Sequence, residues 1–270
     1  MDGTERDLGQ DRAHSARVQD YHLGGKTNYL VDRAAGDAIT ARFPTMGIAA
    51  RVGRAYMQRA GDYLARRGVR QYVDVGTGIP AVVNLHDVIH AVTPGAQVVY
   101  VDHDPIVLTY ADELVDLLHG TTHVVDADVR QPEELLTAVE KTGAVHFGHP
   151  VSLSLHALLD YITDDADPYG LVGRLMRHLA PGSYLSLTHS TADLAPDAWE
   201  AAVGAYTRHG IPVRPRSRTE VLRFFRGLGP VDPGLVVAHR WRPEPASGPS
   251  LVTDGQVSLY AGIARKPAAP

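Results

Sequence analysis

Between Tyr72 and Leu187 five short apolar runs alternate with four segments of helical periodicity. The runs are Tyr72 to Val75, Gln97 to Val101, Thr122 to Val125, Val151 to Leu155 and Tyr184 to Leu187. Connections this long do not make hairpins. They make right-handed crossovers, which place the strands in a parallel sheet with helices on both faces. The sequence therefore predicts a doubly wound α/β domain, and local signals agree with it. Val82, Leu85, Val88, Ile89 and Val92 recur at helical spacing and predict a helix from Ala81 to Val92. Asp104 before Pro105, and Asp167 before Pro168, each read as an N-cap with proline at the first helical position. After the fifth strand come helices at Pro196 to Arg208 and Arg218 to Leu228, the second opened by a Ser217/Glu220 capping box. Two strand-like runs, Leu235 to Ala238 and Val257 to Ala264, follow. Upstream of the first strand lie a helix from Asp32 to Ala41 and a longer one closed by Gly68. The chain divides into an N-terminal arm and lid, residues 1–45, and the α/β domain, residues 46–270.

At 44% hydrophobic and 21% charged, the 270 residues suffice for a large core. A net charge of −5 argues against a nucleic-acid partner. No apolar run reaches the length of a membrane span, and no hydrophobic segment follows the N-terminus as in a secretory signal. The absence of cysteine removes disulfides and thiolate chemistry and fits a cytoplasmic protein.

The stretch QYVDVGTGIP, Gln71 to Pro80, runs from a strand into a glycine turn. Gly76, Gly78 and Ala81 satisfy the G-x-G-x-x-G/A dinucleotide pattern, which points to an NAD(P)-dependent oxidoreductase. Asp74 points elsewhere, because a carboxylate beside a pyrophosphate in a cleft repels it. Pro80 also removes an N–H that an anion would use. A phosphate-free, cationic nucleoside such as S-adenosylmethionine suits Asp74 better. Asp102, ending the second strand, can accept both ribose hydroxyls. Asp128, with Val129 beside it, can accept an adenine amino group.

DVGTGIP, VYVDHDPIVL, DADVR and DPYGLVGRLMRHLAPGSYL, read with the upstream DYHLGGKTNYLVDRAAGD, together resemble class I S-adenosylmethionine-dependent methyltransferases, and more narrowly an actinomycete S-adenosyl methyltransferase family. The resemblance implies a Rossmann-like, seven-stranded, mostly parallel sheet with its last strand antiparallel. It implies S-adenosylmethionine as cofactor, with Asp74, Gly76, Thr77 and Gly78 at its methionine end, Asp102 at the ribose with His103 and Asp104 flanking, and Asp128 with Val129 at the adenine. It also makes DYHLGGKTNYL a lid, freed by Gly24 and Gly25, with Tyr21, Lys26 and Asn28 supplying contacts. The chain departs from that family at Asp160, where a histidine is usual.

The expected reaction is in-line methyl transfer to a small-molecule acceptor, which needs a general base only if the acceptor must lose a proton first. Candidates are His189 at the end of the fifth strand, His156 and Asp160. The His86-Asp87-Val88-Ile89-His90 run mimics a zinc helix but lacks its glutamate, so no metal is expected. The arginines between Arg208 and Arg226 read as a solvated helix face. Two other readings stay open: an NAD(P)-dependent oxidoreductase, and a non-catalytic S-adenosylmethionine-binding regulator. The acceptor and the oligomeric state are not legible.

Overall fold

β1 (Gln71–Val75) is an interior strand of the sheet, and all five of its residues are buried because helices cover both faces. The structure is a computed structural model that describes residues 8–115, 120–243 and 251–268. On one side β1 pairs in parallel with β2 (Gln97–Asp102), which pairs with β3 (Thr122–Asp126). On the other it pairs with β4 (Ser152–Leu155), which pairs with β5 (Tyr184–Ser190). β8 (Leu259–Arg265) then runs antiparallel along β5 and carries two short strands, β6 (Gly229–Pro230) and β7 (Val236–Val237). The order is β3-β2-β1-β4-β5-β8-β6, so chain direction across the sheet reverses between β1 and β4. Ligands bind at such a switch point, outside the carboxyl ends of the strands. Eight strands stand where seven were expected, because two separate dipeptides pair with different parts of β8.

The crossover helices are α4 (Leu85–Val92), α5 (Pro105–Val115), α6 (Pro132–Lys141) and α7 (Pro168–His178), with α3 (Met46–Arg66) leading into β1. Asp104 caps α5 as expected, its Oδ1 accepting from the N–H of Ile106 at 2.7 Å. α4 starts four residues later than its apolar spacing suggested. Asn84 caps it, with the Asp87 carboxylate accepting the Asn84 N–H at 2.8 Å, and Val82 is left 99% exposed in the preceding loop. The helix expected from Arg218 to Leu228 ends at Arg223 (α9), and its successor Phe224 turns inward to stack on His189.

A second core forms away from the sheet. Val18 of α1 (Ser15–Leu23), Ile39 of α2 (Leu30–Thr40), Phe43, and Trp199 and Tyr206 of α8 (Pro196–Arg208) are buried together. From Ser15 onward the N-terminal segment is therefore mostly helical, with α2 packed against α8 and α1 against α2 and α3. No helix among the described residues is long and apolar enough to cross a membrane.

Candidate active site

A cavity lies between this second core and the carboxyl ends of β1, β2, β4 and β5. Its floor is the glycine turn. Gly76 and Gly78 have φ of +71° and +68°, the left-handed region that favours glycine. A Cβ on Gly76 would also stand 2.7 Å from Leu158, whereas the side of Gly78 is open. Asp102 sets the shape of the turn from the next strand. Its Oδ2 accepts from the Gly78 N–H at 3.0 Å, and its Oδ1 from the N–H groups of His103 and Asp104 at 2.8 and 3.0 Å. Two lone pairs per oxygen leave Oδ2 one acceptor site for a ligand hydroxyl. Thr77 donates its hydroxyl back to the Asp74 carbonyl at 3.0 Å.

Asp74 lies in the cavity wall with no hydrogen bond to its carboxyl group among the described residues. Burial pushes that carboxyl up to about 7, against the pull of Arg54 and with the help of Asp102. Arg54 reaches the same cavity from α3. Its Nε is buried without a partner, and its Nη2 has only a 3.5 Å contact with the Ile79 carbonyl. Burial lowers its proton affinity, while Asp74, Tyr100 and Asp20 act to restore it. Sequence reading missed Arg54, although a signal was there: it falls on the buried stripe of α3, four residues after Ala50 and three before Met57.

The expected lid is more ordered than its glycines suggested. α1 presents Ala16, Gln19, Asp20 and Leu23 to the cavity, and Gly24 ends the helix in a left-handed cap. Tyr21 faces away from the cavity and donates to Asp37 Oδ1 at 2.5 Å. Gly25 and Asn28 support Asp20. Asn28 Nδ2 and the Thr27 N–H donate to its Oδ2 at 2.7 and 2.9 Å, and Gly25 passes where a Cβ would be 1.9 Å from its Oδ1. Lys26 is exposed, and Gly24, Lys26 and Asn28 are absent from the cavity wall. Asp104 flanks the site from behind, its Oδ2 2.8 Å from His14 Nδ1. Burial opposes its ionisation, but His14, Arg17 and the α5 N-terminus hold it below the usual carboxylate range.

Asp128 and Val129 do not reach the cavity. Asp128 is held by the Arg130 guanidinium at 2.9 Å, and Val129 is buried in the main core. His103 does line the cavity rim, half-exposed.

Of the three base candidates, the structure brings His156 and Asp160 to the cavity and leaves His189 behind the wall. His189 Nδ1 donates to the Ser190 carbonyl at 2.8 Å, and Nε2 accepts from Arg216 at 3.0 Å, so no lone pair is left for a substrate proton. Arg216 itself is fully buried, contrary to the solvated face expected for that arginine run, and it also donates to the Leu159 and Ile162 carbonyls at 2.8 and 2.9 Å. His156 contacts Ser186 Oγ through Nε2 at 2.8 Å, and its Nδ1 has no partner. Asp160 Oδ1 accepts from the Ser190 N–H at 2.5 Å, and its Oδ2 is buried with no partner. In the helix once compared with a zinc site, His86 contacts the Tyr100 hydroxyl at 2.8 Å and His90 the Ala96 carbonyl at 3.0 Å.

The cavity thus has one end of glycine turn, Asp74 and Arg54, and another walled by Trp199, Tyr161 and Tyr206 of the second core. The first end holds an arginine with a partnerless Nε and a carboxyl group with no hydrogen bond among the described residues, with no ion pair between the two, which suits a zwitterionic amino-acid group. A family model described as S-adenosyl methyltransferase matches residues 1–267. A DUF574-family protein from Streptomyces avermitilis is 38% identical with a TM-score of 0.92, over 96% of this chain and 100% of that one. A candidate methyltransferase from Thermobifida fusca is 33% identical with a TM-score of 0.90, over 99% of this chain and 100% of that one. No curated protein matches the chain.

Proposed function

The chain belongs to the S-adenosyl methyltransferase family, and on that premise we propose that it methylates a small molecule held in the aromatic end of the cavity, by in-line displacement. The observation that carries this reading is that one cavity wall holds both Arg54, whose Nε is unpartnered, and Asp74, whose carboxyl has no hydrogen bond. In this reading Arg54 takes the cofactor carboxylate, Asp74 its ammonium, and the spare acceptor site of Asp102 a ribose hydroxyl. Asp128, already paired with Arg130, is assigned no role. S-adenosylmethionine supplies a methyl carbon activated by its sulfonium. The protein's part is to align the acceptor with that carbon and keep water out, which the second core does from above. The absence of cysteine and of a spanning helix among the described residues supports a cytoplasmic setting.

Calorimetric titration with S-adenosylhomocysteine, and in parallel with NAD, tests the donor. Micromolar or tighter binding of the homocysteine product alone is expected. Arg54→Met should weaken it on the order of a hundredfold, the scale for losing a charge-assisted hydrogen bond. Binding of NAD alone would mean that Asp74 tolerates a pyrophosphate, and the assay would turn to hydride transfer. Unchanged affinity in folded Arg54→Met would remove Arg54 from the site.

A further inference from the structure

We infer that the methyl acceptor is a neutral aromatic amine, with its N–H donated to Asp160 and its ring set among Trp199, Tyr161 and Tyr206. The inference rests on the methyl-transfer reading and says what the other end of the cavity is for. Asp160 is 3% exposed, lines the cavity, and has one oxygen satisfied by the Ser190 N–H and one with no donor at all. A buried carboxylate oxygen left this way is destabilising until a donor arrives. The neighbouring rings favour a flat donor-bearing frame, since Trp199 and Tyr206 are buried and the Tyr161 and Tyr206 centroids are 6.3 Å apart.

Nitrogen is favoured over oxygen by what surrounds the acceptor. A phenol or alcohol must shed its proton to become a good nucleophile, and the site offers no competent base. His189 has both ring nitrogens engaged. His156 has a free Nδ1, but burial and the Arg54 charge push it down to about 3. A carboxylate is a poor base for a phenol, although it can take a proton from an arylammonium, a far stronger acid. A developing phenolate would also be repelled by the Asp160 carboxylate. An alkylammonium fails for the opposite reason, because it has no lone pair until a base takes a proton. An aromatic amine is neutral at pH 7 and carries its lone pair in. That pair forms the new N–C bond as the C–S bond of the donor breaks and its electrons leave with sulfur. The methylated nitrogen, now cationic, passes its N–H proton to Asp160, and the N–H bonding pair stays on nitrogen.

The test uses the full chain and three probes on one frame: 2-aminonaphthalene, 2-hydroxynaphthalene and 2-naphthoate. The amine and the hydroxyl probe can both donate to Asp160, so each should bind the S-adenosylhomocysteine-loaded chain at least about tenfold tighter than the carboxylate, the scale of one well-placed hydrogen bond. With S-adenosylmethionine in its place, the amine should be methylated and the hydroxyl probe should not, because the latter keeps its proton. Asp160→Asn keeps an oxygen for the Ser190 N–H and turns the other side into a donor, so it should weaken amine binding about tenfold. Tighter binding of the carboxylate, or methylation of the hydroxyl probe in preference to the amine or of neither, overturns the inference, as does no binding of any probe up to the millimolar range. Unchanged amine binding in Asp160→Asn overturns the role of Asp160. If the variant does not fold, methylation of the amine against the hydroxyl probe by the wild type still decides the nucleophile. Absence of S-adenosylhomocysteine binding, measured first, would instead sink the donor reading.

Discussion

Asp74 is the residue whose chemistry depends most on whether the cavity is filled. In the free protein burial raises its carboxyl from the ordinary 3.8 to about 7. The folded chain therefore holds a proton there that the unfolded chain releases, and this contribution to stability is lost as pH rises from 3.8 to about 7. A cofactor ammonium favours the ionised form and reverses the sign for binding. Below about 7 the ligand must displace a proton, so affinity for S-adenosylhomocysteine should rise with pH and level off above that value. The slope is at most about tenfold per pH unit. Calorimetry in buffers of different ionisation enthalpy should detect proton release near pH 6, and Asp74→Asn should abolish both the slope and the release. A pH-independent affinity in the wild type would place the ammonium elsewhere. Asp74 and Asp102 were legible in the sequence because their place follows from strand ends alone. Arg54 showed only as a basic residue on the apolar stripe of its helix, and Arg216 and the engaged state of His189 did not show at all. They depend on which helix face turns inward and on partners as distant as His189 and Arg216, and charge composition carries no such information.

At the scale of elements, the sequence held the order of strands and crossovers because apolar period and capping residues are local signals. It misplaced events decided by competition. Residues 81–84 have helical apolar spacing, but Asn84 and Asp87 together make a stronger cap four residues on, and Val82 is left in solvent. The two glycines after α1 read as freedom, yet Gly24 caps the helix and Gly25 lets the chain pass against the Asp20 carboxylate. Space, more than flexibility, is what Gly25 provides. Gly25→Ala should therefore displace Asp20 and loosen the α1–α2 turn, at about 1–3 kcal/mol, the usual cost of overpacking. Chemical denaturation checks the loss, and S-adenosylhomocysteine affinity should fall with it because Asp20 lines the cavity. A variant as stable as the wild type would mean that the turn is free to shift, as an open lid would be.

At the scale of the molecule, residues 8–45 are either a separate lid or part of the same cooperative unit as the sheet. A lid with few buried contacts opens at a free energy well below that of global unfolding. The contacts here oppose that. Val18, Ile39 and Phe43 are buried with Trp199 and Tyr206, so lifting α1 and α2 would expose two large aromatic rings of α8. Polar ties add to this across the same boundary. His14 pairs with Asp104 at 2.8 Å, and Arg17, buried, lies between Asp32 and Asp104 at 3.6 and 3.8 Å. Removing one partner from such a buried set leaves the other uncompensated, so these groups separate only at high cost. Amide hydrogen exchange should therefore show α1, α2 and α8 protected to a similar degree. S-adenosylhomocysteine should raise that protection together across α1 and the glycine turn, since the cavity is lined by both. Exchange of α1 and α2 that is far faster than that of α8, and unaffected by ligand, would show instead that the segment opens alone. Substrate would then enter by lid motion, and the second core would be a docked state and not part of the fold's stable body.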